Sequence, residues 1–383
     1  MVIKTKKSFK KSFILLPLIL FLAIYNSNPE KITIFEGQKS GMLLGISAKA
    51  DNYKTGDMLF DIFPNKTASV TTTAKSYVIP SGEAIGVKLY TAGVLVIGSG
   101  NVTDKNGKTF SPAKKAGILA GDRIIAANGE PISDTAGLKR IINSGNGHIT
   151  LSVMRGDTAL DLPVSAAYSE DTNSYLIGLW VRDSAAGIGT LTFYNPQNST
   201  YAALGHGICD YDTELLMTAG DGSINFCKIK SVQKSENGSP GELLGEFSAK
   251  DEGNILVNSE VGIYGDAFSL PDIAPVPVAS RFEIKEGQAE ILCDVDGQGP
   301  KPYNIEITKI STSAKLSGKS FVFKITDFDL LKKTGGIVQG MSGSPVLQNG
   351  KLIGAVTHVF VNNASRGYGI FAENMLDMTN ILK

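Results

Sequence analysis

The sequence predicts a mainly β protein of several domains, and three observations carry that prediction. Its 383 residues include 42 glycines and 15 prolines, which punctuate the chain with tight turns. β-Branched and aromatic residues gather in short runs, and no stretch sustains a long helical period. The length suits two or three domains. Lys+Arg and Asp+Glu both total 37, and no basic stripe marks a nucleic-acid partner.

The first 25 residues differ from the rest. Lys4, Lys6, Lys7, Lys10 and Lys11 precede an apolar run at 13–24, the layout of an export segment. The uncharged stretch continues to Pro29, long enough for a helix of roughly 27 Å against a hydrocarbon core of ~30 Å. Small residues do not occupy both positions that a cleavage site needs, so 1–25 reads as a retained membrane anchor. Its lysines stay inside and the remainder goes outside. Residues 26–80 read as a tether with a Thr-rich, strand-like stretch at 68–79. The three cysteines, Cys209, Cys227 and Cys293, leave at least one thiol unpaired in an exported chain. Three histidines and no C-x-x-C pair argue against a metal, and no cofactor is expected.

A compact module is expected at 81–168. Ser111-Pro112 opens a short helix, Gly121-Asp122 turns into a strand at 123–127, and Asn128-Gly129 forms a tight turn. A helix near 134–144 and a strand at 149–155 follow. Together, and above all from Ala116-Gly117 to Gly129, these elements resemble a PDZ domain. Such domains add a peptide strand to a sheet edge and hold its carboxylate on backbone amides. The matching loop and strand are Ile85, Gly86, Val87 and Leu89, with Leu138 and Ile141 of the helix walling the groove. A PDZ-like domain that only packs against its neighbour is the alternative.

Residues 169–383 carry the chemistry. Gly340-Met341-Ser342-Gly343-Ser344-Pro345 flanks a serine with glycines that allow a sharp turn. The Gly340 and Ser342 amides are then candidates for an oxyanion hole. Pro345 to His358 reads as two strands joined by an Asn349-Gly350 turn. A nucleophile loop feeding a hairpin resembles the chymotrypsin-like serine peptidases, which implies a double β-barrel joined near 272–280. Ser344 is a rival nucleophile, but it precedes a proline and begins an extended stretch.

An activated serine needs a base. His148 sits in a turn of the PDZ-like module, whereas His206 stands between glycines at the end of an apolar strand. His358 ends the strand after the nucleophile, so Thr357 and His358 are expected beside the substrate groove. An orienting carboxylate is also expected. Asp210, Asp212, Asp266, Asp294, Asp327 and Asp329 all remain open on local grounds.

Several blocks narrow this further: 181–193, Ala203-Leu-Gly-His-Gly-Ile-Cys-Asp210, 330–346, 354–361 and Gly367-Tyr-Gly369. They resemble the SpoIVB-type sporulation serine peptidases, and with the anchor and the PDZ-like module the resemblance spans nearly the whole chain. It implies Ser342 as nucleophile, His206 as base and Asp327 as orienting acid. It also implies a membrane-anchored endopeptidase in the space between forespore and mother cell. There it would cleave the extracytoplasmic part of a membrane protein that restrains a sigma-factor-processing intramembrane protease, and it would cleave itself. The alternatives are an inactive PDZ scaffold and an envelope quality-control protease.

Overall fold

The computed structural model describes residues 31–35, 69–73, 75–236, 238–311 and 318–382. The anchor expected at 1–25 and most of the tether lie outside these residues. Among the described residues no helix is long and apolar enough to cross a membrane. Within the tether, Lys31–Phe35 pairs in parallel with Ser69–Thr73.

The PDZ-like module forms as its turn chemistry dictates. Ser111 caps the short helix Pro112–Lys115, accepting from the Lys114 amide at 3.3 Å. Asp134 caps Thr135–Ser144 by accepting from the Gly137 amide at 2.7 Å. Asn128 and Gly129 take positive φ angles of 51° and 78°, as a two-residue hairpin turn requires. Strand Arg123–Ala127 lies beside His148–Arg155, which pairs with Thr158–Ser165. Val94, Ile124, Leu138, Ile141, Leu151 and Val153 form the core. Asp122, buried, receives Arg155 Nε at 2.7 Å and ties the end of this sheet to the short-helix loop.

Two long strands give the molecule its plan. Ala84–Ser99 and Leu179–Asn195 run antiparallel from the Thr190–Ala84 pair to the Leu179–Ser99 pair. Their outer ends belong to the PDZ-like core, where Val94 and Val96 sit with Leu179 and Val181. Their other ends belong to the upstream part of the catalytic half, where Ile85, Val87 and Leu89 pack against Leu191, Tyr201 and Met217. Ala219–Gln233 pairs with the free side of residues 85–91, so the whole forms one 13-stranded sheet.

This departs from the expected borders at 80 and 169. Val78 and Ile79, expected at the end of the tether, are buried with Phe193 and Tyr194. The PDZ-like module is therefore inserted within the upstream half of the catalytic fold instead of preceding it. The expected pair of barrels also becomes one. Gly287–Cys293, Lys301–Ile310, Phe321–Ile325, Asn363–Phe371, Lys351–Phe360 and Pro345–Gln348 close a six-stranded barrel around Ile291, Ile305, Phe323 and Val356. The upstream half stays an open sheet, because its two longest strands continue into the inserted module. The segment expected to join the halves does so, and its Val276–Pro277 strand pairs with Tyr77–Pro80.

Candidate active site

The Ser342 turn is held by its carbonyls. Thr190 donates its amide to Ser342 O at 2.9 Å and its hydroxyl to Gly340 O at 2.7 Å. The Thr192 hydroxyl donates to Gly343 O at 2.8 Å. Both threonines are buried on the strand Leu179–Asn195. Gln339 O receives the Leu243 amide at 2.9 Å, and Met341 O receives the Ser344 amide and hydroxyl at 3.0 and 2.7 Å. A trans peptide points its N–H opposite its C=O. With the 339 and 341 carbonyls fixed, the Gly340 and Ser342 amides face the other way, and neither donates to a described acceptor. They are free donors in the turn that carries the Ser342 hydroxyl, available to an oxyanion.

Glycine at 343 is obligatory. Its φ is +97°, and a Cβ there would press on Thr190 O and come within 2.6 Å of Leu204 N. Leu204 lies two residues before His206, so this close approach docks the histidine loop on the nucleophile turn. Ser344 is fully buried and spends its hydroxyl on Met341 O, which removes it as a rival nucleophile.

His206 follows strand Thr200–Ala203 and is half-buried. Burial pushes its pKa below the ordinary 6.5, against a raising contribution from the Gly207 carbonyl. The ring is therefore neutral at neutral pH, the form a base needs. The His358 ring lies 5.2 Å away. Its pKa is lowered to about 4, first by desolvation and then by the charges of His206 and Lys319. The Ser342 hydroxyl donates to Thr357 O at 2.8 Å and not to His206. His206, His358, Thr357 and Ser342 thus form one contiguous group in which the serine rests on a strand carbonyl.

Three expectations need correction. Asp327 does not approach His206: it caps helix Phe328–Thr334, accepting from the Leu330 amide at 3.0 Å and the Asn304 amide at 3.2 Å. His206 Nδ1 instead sits 2.9 Å from Gly207 O, and no carboxylate pairs with the ring among the described residues. Among the alternatives, Asp210 and Asp212 bind Arg182, Asp294 accepts the Gly297 amide at 2.7 Å, and Asp329 lies exposed in the first turn of the Asp327 helix. Thr357, expected beside a substrate groove, is buried and turns its hydroxyl to Gly318 O and Tyr368 O, while His358 is exposed.

The third correction concerns the peptide site. Ile85, Gly86, Val87 and Leu89 lie in the interior of the open sheet with strands paired on both sides, so no edge remains for a peptide. Leu138, expected to wall a peptide groove, is buried in the core of the inserted module. An edge that does remain is Leu179–Asp183, which pairs only with Ala84–Ser99 among the described residues. The signal missed in the sequence was Leu176-Ile177-Gly178-Leu179, an apolar loop around a glycine that opens a strand. His148 is exposed at the start of a strand paired on both sides, and Cys209, Cys227 and Cys293 are all free thiols.

Comparison with known proteins gives two family matches. The SpoIVB peptidase S55 family profile matches residues 173–376, and a PDZ domain profile matches 103–155. The HhoA protein of Synechocystis sp. is 42% identical over 66 residues, 17% of this chain and 17% of that protein's length. Among solved structures, the Rv3671c protease in its inactive form is 14% identical with a TM-score of 0.31, covering 51% of this chain and 83% of its own. The active form of that protease from M. tuberculosis is 12% identical with a TM-score of 0.30, covering 50% and 72%.

Proposed function

The chain belongs to the SpoIVB peptidase S55 family, and on that premise we propose that it is a serine endopeptidase whose reaction is carried by Ser342 and His206. The observation that supports this most is the Ser342 turn, with two unengaged amides and a neutral imidazole loop packed against Gly343. Ser342 Oγ attacks the peptide carbonyl as its proton passes to His206. The Gly340 and Ser342 amides hold the oxyanion, and His206 returns the proton to the departing amine. The hydroxyl leaves Thr357 O for His206 as substrate enters. The Thr357 carbonyl and the strand to which it belongs are then free to pair with substrate backbone.

The wider role follows the family and the N-terminal sequence. The lysine cluster and apolar run before residue 25 support a membrane anchor with the catalytic part outside. We place the protein between forespore and mother cell. Its substrate is the extracytoplasmic part of a membrane protein that restrains a sigma-factor-processing intramembrane protease, and it cleaves itself in the tether. The inserted PDZ-like module supplies a peptide ligand site.

A second reading is favoured by one observation: the resting serine bonds to Thr357 O, and the imidazole has no carboxylate. That reading is an inactive PDZ scaffold. A fluorophosphonate probe separates the two. The full-length protein is expected to be labelled, Ser342→Ala to lose all labelling, and His206→Ala to lose about 10⁴-fold or more in rate. Labelling that survives in Ser342→Ala, or none in the wild type, would overturn the peptidase reading.

A further inference from the structure

We propose that a divalent transition-metal cation of the zinc class binds between the His206 and His358 rings and holds the peptidase at rest. The second half of this proposal rests on the peptidase reading above; the first half does not.

The residues that precede the two histidines bring the rings together. Gly205 takes a φ of +69°, and a Cβ on it would lie 3.0 Å from Thr357 Cγ2. Thr357 is buried and anchored through its hydroxyl to Gly318 O and, at 3.1 Å, to Tyr368 O. His206 and His358 follow directly in the chain, so this contact sets their side chains next to one another. The ring centroids stand 5.2 Å apart with 42° between the planes. A tetrahedral ion about 2 Å from one nitrogen of each imidazole separates the two centroids by about 5 Å. The rings are already spaced for it.

The nitrogens left over are the ones a metal takes. His206 Nδ1 sits 2.9 Å from Gly207 O, and a carbonyl receives an N–H, which leaves the ring's lone pair on Nε2. A backbone carbonyl on the second ring nitrogen is the usual companion of a metal-bound histidine. The loop that carries this carbonyl is fixed in turn. Ile208 gives its amide to Asn258 Oδ1 at 2.9 Å, and its carbonyl takes Asn258 Nδ2 at 2.8 Å. His358 turns Cε1 and Nδ1 toward Gly318, 3.3 and 3.6 Å from that glycine's Cβ position, with Nε2 farther from it. Two imidazoles select zinc, cobalt, nickel or copper over magnesium and calcium, which take oxygen. No third histidine, cysteine or carboxylate joins the pair among the described residues, so solvent completes the shell. The Lys319 charge also reaches His358. Both facts make the ion exchangeable, an inhibitor and not a resident cofactor. Inhibition follows from a single lone pair, since His206 Nε2 accepts the Ser342 proton or binds the ion and cannot do both. The Ser342 hydroxyl already donates to Thr357 O at 2.8 Å, so the resting serine needs no rearrangement when the ion enters.

Metal binding and labelling are read separately. Cys209 is an exposed free thiol, and thiols take the same ions, so the full-length protein carrying Cys209→Ser is the parent. Freed of metal by a chelator, it is titrated with Co²⁺, whose visible absorption reports binding, and with Zn²⁺ while fluorophosphonate labelling is followed. Co²⁺ is expected to bind saturably and to be displaced by Zn²⁺. Zn²⁺ is expected to slow labelling at least tenfold relative to chelator, with the midpoint of that displacement, and Mg²⁺ and Ca²⁺ to do neither. His358→Asn and His206→Asn are each expected to weaken Co²⁺ binding at least tenfold, whereas Ser342→Ala keeps it. His358 is exposed, so His358→Asn decides alone should His206→Asn misfold. No saturable Co²⁺ binding, or binding that survives His358→Asn, overturns the site. Histidine-dependent binding in a protein that labels equally fast with Zn²⁺ overturns the inhibition alone. The same binding in a protein that never labels leaves the metal site standing and removes the peptidase reading together with the inhibition.

Discussion

The two halves of the catalytic fold treat their reacting groups differently. The downstream half is a closed barrel, and its serine turn is fixed on every side by Thr190, Thr192, Leu243 and Ser344. The upstream half is an open sheet that continues into the inserted module, and its histidine rests on its own neighbour's carbonyl. One half is pre-organised and the other is adjustable. In electrostatic catalysis, donors fixed before substrate arrives cost no reorganisation during the reaction. A base that must be brought into line can instead report on something else. The contrast teaches that the serine turn is anchored by other strands, whereas the His206 ring is held only by its own neighbour among the described residues.

Substitutions can break that contrast, and the largest effect is expected at Gly343. Gly343→Ala forces a Cβ against Thr190 O and Leu204 N at a left-handed φ, so labelling is expected to vanish and stability to fall by about 3 kcal/mol or more. Denaturant titration beside probe labelling checks both. Next comes Thr190→Val, nearly the same shape without the hydroxyl that holds Gly340 O. It leaves a buried carbonyl without that partner, at about 1–3 kcal/mol, and is expected to slow labelling about tenfold by loosening the Gly340 amide. A labelling rate unchanged in Thr190→Val would show that the turn needs no such support.

Asp327 sharpens the comparison with a smaller effect. As a helix cap, its loss in Asp327→Ala is expected to cost about 1 kcal/mol and to slow labelling only through the loosened segment that leads to Gly335–Gly340. Asparagine caps nearly as well, so Asp327→Asn is expected to recover both properties. An acid that orients the base would behave otherwise, since an amide there costs about 10⁴-fold. Failure of Asp327→Asn to recover labelling would return Asp327 to the reaction.

The mildest probe is pH. His206 and His358 both titrate below 6.5 in the folded protein, so the unfolded chain takes up protons first as pH falls. Stability contributed by the neutral rings is fully present above about pH 6.5 and is lost as pH drops toward about 4, where His358 titrates. Labelling is expected to fall in the same direction, with a midpoint below 6.5. A His358→Asn variant removes the neighbouring positive charge and should flatten the stability loss, measured by thermal melts across that range.

Much of this was legible because it is local. The Gly340–Pro345 run, the Asn349-Gly350 hairpin, the Asp134 and Ser111 caps and the Asn128-Gly129 turn are all specified within a few residues. What was hidden depends on partners far along the chain. Ile85 to Leu89 reads as a peptide-binding strand, and nothing nearby reveals that residues 184–190 and 219–226 will cover both its edges. Asp327 reads as a strand-end acid, with Asp329 nearly as plausible, and only the fold sends the Asp327 oxygens to the Leu330 and Asn304 amides. The open Leu179–Asp183 edge escaped for the same reason, since its place beside helix Thr135–Ser144 is a tertiary fact.

The ribbon formed by Ala84–Ser99 and Leu179–Asn195 has an evolutionary and practical corollary. In effect the inserted module is the swollen tip of a hairpin whose base is the upstream half of the enzyme. A fragment beginning at residue 169 would forfeit Val78, Ile85 and Leu89 from that half's interior, and one ending there would abandon the last strand of the module. A break at that point would strip core residues from both parts, so the module and the peptidase half are expected to fold and fail together.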